Sequence, residues 1–197
     1  MTTVGLRERK KEQTRDALAQ AALEQFAERG FDQVTVEEIA GACDVSPRTF
    51  FRYFGSKEDV LFADSDERCD HLLASIADQD PALSAFEALA VAVRELSGDY
   101  APEGARLRAR HAILRSTPSL ASRNAERQQG WEGKVIDVLR TSGRARGMSD
   151  LDVRLMVAST TTALRVAIED WTASNGEGDL QRRVDAALHR LRVGLAG

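Results

Sequence analysis

Apolar positions recur at helical spacing along the whole chain, and no segment keeps the alternating pattern of a half-buried strand. Between Arg7 and Arg29, Leu18, Ala22 and Phe26 step by four and mark one buried stripe. Gly30 stops that helix, and Phe31 is placed to fold back on its last turn. Thr35-Val36-Glu37-Glu38 then has the form of a capping box, with the Thr35 hydroxyl accepting from the Glu38 amide and the Glu38 carboxylate reaching back. Val34 and Ile39 can staple its start, and a short helix is predicted over Val36–Ala42. Helical pattern resumes at Ser46-Pro47, an N-cap followed by proline at the first helical position, and runs to about Tyr53. Gly55 breaks it, and Ser56-Lys57-Glu58-Asp59 opens a fourth helix predicted to continue to Ala77. Five more helices are predicted over Ala82–Ser97, Glu103–Ser116, Ser119–Arg146, Asp150–Ala173 and Asp179–Leu195. Their breaks fall at Gly98-Asp99, Thr117-Pro118, Gly147 and Asn175-Gly176-Glu177-Gly178. The fold class is all-α.

Composition alters this picture little. The 197 residues are 43% hydrophobic and 29% charged, an ordinary globular balance with room for one large domain or two small ones. No apolar run approaches the roughly 20 residues of a bilayer span, and the polar N-terminus carries no secretory pattern, so no membrane partner and a cytoplasmic location are expected. Cys43 and Cys69 form no CxxC pair, and His71, His111 and His189 lie far apart. No metal site, no disulfide and no cofactor are therefore expected. The two cysteines read as small, semi-buried thiols.

Charge distribution is more informative than the net charge of −4. Arg7, Arg9, Lys10, Lys11 and Arg15 crowd the N-terminal segment, and Arg48, Arg52 and Lys57 follow with no acid between Val45 and Lys57. Either patch alone also fits a solvated helix face. The second patch, however, lies on the second of two short helices joined by a tight turn. That arrangement is a helix-turn-helix, in which the first helix braces the second so that its N-terminal half enters the major groove. Ile39, Ala40, Ala42 and Val45 would join the pair, and Phe50 and Phe54, four apart, would face the core. Ser46, Pro47, Arg48, Thr49, Arg52 and Tyr53 are then the candidate DNA contacts. Arg48 suits bidentate readout of guanine, while Thr49 and Arg52 could read bases or hold phosphate. Thr35 and Lys57, at helix N-termini, are the candidate phosphate contacts.

The run Ala22-Leu23-Glu24-Gln25-Phe26-Ala27-Glu28-Arg29-Gly30-Phe31, then Thr35-Val36-Glu37-Glu38-Ile39-Ala40, then Val45-Ser46-Pro47-Arg48-Thr49-Phe50-Phe51-Arg52-Tyr53-Phe54-Gly55-Ser56-Lys57-Glu58 resembles the TetR family of bacterial transcriptional regulators. The resemblance implies a nine-helix protomer, with a helix-turn-helix domain over residues 1–55 and a ligand-binding and dimerisation domain over 56–197. It further implies a homodimer on a palindromic double-stranded DNA operator and a small-molecule effector. The family's phosphate-contacting threonine and lysine correspond to Thr35 and Lys57. Two departures stand out: the family usually has tyrosine at Phe51, whose hydroxyl reaches a phosphate, and often glycine at Arg48. Arg48-Thr49-Phe50-Phe51-Arg52-Tyr53-Phe54, together with Pro118-Ser119-Leu120-Ala121-Ser122-Arg123 and Ala163-Leu164-Arg165 with Trp171, is similar to a subgroup that includes the mycofactocin-system regulator, which implies an acyl-CoA-like or other hydrophobic ligand.

Beyond the reading head, Arg106, Arg108, Arg110 and Arg115 crowd one helix with His111, Ile113 and Leu114. Arginines could hold an anionic head and apolar residues its tail, although the same spacing fits a solvated basic face. Trp131 and Trp171 could line a cavity or fill the core. The candidate ligand set is Arg110, His111, Leu114, Trp131, Thr161 and Arg165. On the last helix Leu180, Val184, Leu188, Leu191 and Leu195 form a stripe, and the helix before it carries the small run Ala158-Ser159-Thr160-Thr161-Thr162-Ala163. The candidate dimer contacts are Ala158, Thr162, Val184, Leu188, Leu191 and Leu195, with packing of the stripe inside the protomer as the competing reading. The functional expectation is a repressor released from its operator by a ligand. The alternatives are an activator or ligand-independent regulator, or an acyl-CoA-handling enzyme. No Ser-His-Asp order, paired catalytic carboxylates or phosphate loop supports the enzyme.

Overall fold

A computed structural model describes residues 5–100 and 103–194, the side chains of residues 6–8 excepted. Among the described residues it contains nine α-helices and no strand. They are α1 (Leu6–Arg29), α2 (Val36–Ala42), α3 (Pro47–Tyr53), α4 (Ser65–Asp78), α5 (Ala85–Tyr100), α6 (Gly104–Ser116), α7 (Pro118–Thr141), α8 (Asp150–Ala173) and α9 (Leu180–Val193). Short 3-10 turns at Phe31–Gln33 and Glu58–Phe62 join the early helices.

The chain forms two compact units. The first comprises residues 1–66 and 109–121, the second residues 67–108 and 122–197. The first core gathers Leu18, Ala22 and Phe26 of α1, Ile39 and Ala40 of α2 and Phe50 of α3, with Val60–Ala63 and, from later in the chain, Ile113, Leu114 and Leu120. This unit thus runs past the sequence boundary at residue 55, because the segment after it buries four consecutive side chains in the same core. The second core is built from α5, α8 and α9 with Val135 and Leu139 of α7.

The fourth and fifth predicted helices differ from the structure for identifiable reasons. The fourth helix does not run from Ser56. Val60, Leu61, Phe62 and Ala63 are all buried, which one face of an α-helix cannot achieve, and the chain takes a 3-10 turn before α4 begins at Ser65. The fifth helix starts at Ala85, not Ala82, because Ser84 and Glu87 make a second capping box: the Ser84 amide and hydroxyl donate to Glu87 Oε2 at 3.0 and 2.7 Å. It also runs through Gly98-Asp99 to Tyr100, since Ser97 and Tyr100 both face the core. By contrast, α2, α3 and α8 have the predicted bounds.

Candidate nucleic-acid interface

Local chemistry fixes the two short helices. Thr35 Oγ1 accepts from the Glu38 amide at 3.2 Å, and the Thr35 amide donates to Glu38 Oε2 at 2.8 Å, closing the capping box. Arg29, at the end of α1, pairs with the same carboxylate at 2.8 Å, so α1 and α2 are tied at this corner. The Thr35 amide and the Arg29 guanidinium hold the Glu38 carboxyl below the ordinary carboxylate range. Between α2 and α3 the chain turns through Asp44, whose φ of 54° is a left-handed conformation that aspartate tolerates better than most residues. The Val45 amide returns to the Ala40 carbonyl at 3.1 Å, which keeps the turn tight. Ser46 then caps α3 by accepting from the Thr49 amide at 3.2 Å, with Pro47 in its first turn.

This geometry sorts α3 into two faces. Phe50 and Phe54 are buried, with ring centroids 5.3 Å apart. Arg48, Phe51 and Arg52 are exposed and, at i, i+3 and i+4, share the opposite face. Phe51 is 53% exposed, and its ring stands edge-on to Phe50, 5.5 Å between centroids and 86° between planes. Arg52 lies over the Tyr53 ring at 5.1 Å and donates to its hydroxyl at 3.3 Å. Thr35 and Ser46 are exposed; Pro47, Thr49 and Tyr53 are half-buried at the edges of this surface.

Lys57 has a role that spacing did not reveal. Its ammonium donates to the carbonyls of Phe31 and Val34, both at 2.9 Å, and sits 4.2 Å from the Phe31 ring centroid. It braces the loop that leads into α2, and two of its three N–H donors are committed there. Arg15, one of the N-terminal basic residues, donates to the Ala63 carbonyl within the same unit. Burial first, then Asp44 and Glu24, push the Cys43 thiol up, which keeps it protonated and a poor nucleophile.

The candidate ligand residues separate. Arg110, His111 and Leu114 belong to the first unit, and Leu114 is part of its core. Trp131, Thr161 and Arg165 belong to the second. There the Thr161 hydroxyl donates to Glu132 at 2.8 Å, beside the half-buried Trp131, and Arg165 pairs with Glu169 at 2.8 Å. Glu132 carried no sequence signal. Trp171 is buried and its indole donates to the Gly178 carbonyl at 3.1 Å, so it closes the turn between α8 and α9. Arg108 does not point away into solvent either: a Cβ at Gly176 in that turn would lie 2.6 Å from its Nη1.

The α9 stripe packs inward. Val184 and Leu188 are buried in the second core, with Leu191 partly buried against it, while Leu195 lies outside the described residues. An exposed apolar line runs instead along α8, through Leu151 (73% exposed), Leu155 (62%), Thr162 and Val166 (48%), with Ala158 half-buried among them. The period-3.6 pattern of α9 is satisfied by its own protomer, and its sequence alone could not distinguish the two partners.

A buried aromatic scaffold presenting a capped, basic second helix defines a helix-turn-helix protein. The sequence matches the family described as bacterial regulatory proteins, tetR family, over residues 18–63, and the MftR C-terminal domain family over residues 83–196. It is 31% identical over 196 residues to the HTH-type transcriptional regulator TcmR of Streptomyces glaucescens, covering 95% of this chain and 87% of the relative. It is 29% identical over 136 residues to MftR of Mycobacterium tuberculosis, named as a candidate mycofactocin biosynthesis transcriptional regulator, covering 68% and 69% of the two chains. The fold superimposes on Thermus thermophilus FadR, a repressor solved with lauroyl-CoA, with a TM-score of 0.61 at 25% identity over 93% of this chain and 95% of that one. The chain belongs to the TetR family of bacterial transcriptional regulators.

Proposed function

We propose that this regulator is a homodimeric repressor whose α3 helices enter successive major grooves of a palindromic operator, and that a small hydrophobic ligand releases it. The observation that carries the reading is the exposed Arg48–Phe51–Arg52 face of α3, held out by the buried Phe50 and Phe54. Arg48 contacts a guanine edge, and Arg52, stacked on Tyr53, contacts a phosphate or a neighbouring base. Ser46, Pro47 and Thr49 border that contact. Thr35, through its exposed hydroxyl, and Lys57, through its remaining N–H, approach the flanking phosphates.

Dimerisation uses the exposed α8 line of Leu151, Leu155, Ala158, Thr162 and Val166, with the outward face of α9 beside it; two such helices from each protomer make an isologous four-helix interface. The C-terminal family match and the likeness to a lauroyl-CoA-bound repressor favour an acyl-CoA-like effector. Within the second unit, Trp131, Thr161 and Arg165 are the aromatic and polar candidates to meet it. Such an effector acts only by binding one conformation better than another. Helices α4, α6 and α7 each contribute residues to both compact units.

In this reading the chain acts by binding DNA and ligand in the cytoplasm. Among the described residues no helix is long and apolar enough to cross a membrane, and no group of three His, Cys, Asp or Glu side chains could hold a metal. The test is fluorescence anisotropy on a duplex selected from a random library by the full-length protein, titrated with lauroyl-CoA and with free coenzyme A. Tight, salt-dependent binding reversed by lauroyl-CoA is expected. Selection of no sequence would overturn the regulator reading; binding indifferent to acyl-CoA would overturn the effector class alone.

A further inference from the structure

Among the described residues Phe51, at 53% exposed, is the large aromatic side chain most open to solvent on the α3 face. The ring stands edge-on to the fully buried Phe50, which packs in turn on Phe54. A half-exposed aromatic flanked by the two cations Arg48 and Arg52 costs hydration in the free protein. That cost is recovered only if something apolar meets it. Within a major groove the apolar group on a base edge is the thymine C5-methyl.

Resting on the reading of α3 as the DNA-contacting helix, we propose that Phe51 is a specificity-determining residue that packs on a thymine methyl, one base step from the guanine read by Arg48. Helix geometry sets the spacing. Three residues advance an α-helix by about 4.5 Å, close to the rise of about 3.4 Å between stacked base pairs. Arg48 and Phe51 lie on one face and therefore address neighbouring pairs. Arg52, a further residue along and turned toward the Tyr53 hydroxyl, stands beside them over the backbone. The operator half-site then contains a guanine and a thymine in adjacent base pairs. Such a contact distinguishes thymine from cytosine and uracil, which lack the methyl group.

The experiment replaces each thymine of the selected duplex, one at a time, by deoxyuridine, which pairs identically and lacks only the methyl group. One position per half-site, adjacent to the base pair whose preference is lost in Arg48→Ala, should bind about fourfold more weakly, the scale of one methyl removed from contact. Phe51→Ala should abolish the difference between thymine and uracil at that position, whereas Phe51→Leu, which keeps an apolar side chain, should retain part of it. Because Phe51 is exposed, both variants should keep the wild-type helical signal. A duplex that binds tightly with no deoxyuridine-sensitive position, or a Phe51→Ala protein as sensitive as the wild type, would overturn the inference and leave the DNA-binding reading intact. Enrichment of no duplex at all would overturn both.

Discussion

Replacing Lys57 by methionine keeps most of the aliphatic stem and removes the ammonium. The structure loses two charge-assisted hydrogen bonds, to the Phe31 and Val34 carbonyls, together with a cation lying 4.2 Å from the Phe31 ring. Lys57 is half-buried, so each bond is taken at the central net value of about 1 kcal/mol. The ring contact adds about 0.5 kcal/mol at such a site. The loop into α2 should therefore be destabilised by about 2.5 kcal/mol, which corresponds to roughly sixtyfold faster local opening. Native-state hydrogen exchange without DNA reads this directly. Protection should fall across Phe31–Ala42 and remain unchanged in α8 and α9. Unaltered protection over Phe31–Ala42 would refute the bracing role and leave Lys57 only as a phosphate ligand. A change of about one in the salt slope of DNA binding would in turn report a phosphate contact through its third N–H.

Three further outcomes follow from the same geometry. The folded-state carboxyl of Glu38 is held below its ordinary value of 4.5, so its contribution to stability is complete above that value and is lost as pH falls through the lowered one. The urea midpoint of Glu38→Gln should lie below wild type at pH 7 and converge on it in acid; a pH-independent gap would show that charge is not involved. Ser46→Ala removes the α3 cap and should cost about 1 kcal/mol in urea unfolding, with a corresponding loss of DNA affinity; an unchanged midpoint would show the cap to be idle. Leu155→Arg places a charge at the centre of the exposed α8 line and should give a folded monomer by sedimentation velocity; an intact dimer would remove α8 from the interface.

Why some elements were legible in the sequence and others not comes down to where their determinants lie. Helices α2 and α3 are legible with their observed bounds because Thr35 and Ser46 are side-chain caps adjacent to the helices they start, and α8 because Gly147 and the Asn175-Gly176-Glu177-Gly178 run bracket it. The start of α5 is equally available in Ser84 and Glu87, three residues past the predicted start at Ala82. The turn over Glu58–Phe62 was not legible, because Val60–Ala63 are drawn inward by residues distant in sequence, Ile113 and Leu114 among them. The same limit governs the sites. Arg48, Arg52 and Thr35 follow from local motifs. The engagement of Lys57 with carbonyls 23 and 26 residues earlier, the inward packing of Val184 and Leu188, and the bond between Thr161 and Glu132 depend on tertiary partners that periodicity cannot name.

The central claim is that a dimer presents two copies of the α3 face to one side of a DNA duplex. Methylation-interference footprinting on the selected duplex tests it most directly, since methylation of guanine N7 blocks contact in the major groove. Interference is predicted at guanines in two symmetric half-sites, whose centres lie one helical turn of about 10 base pairs, or a multiple of it, apart. Arg48→Ala should erase the signal at one guanine in each half-site and leave the others. Interference at a single unpaired site, or a pattern indifferent to Arg48→Ala, would contradict the account.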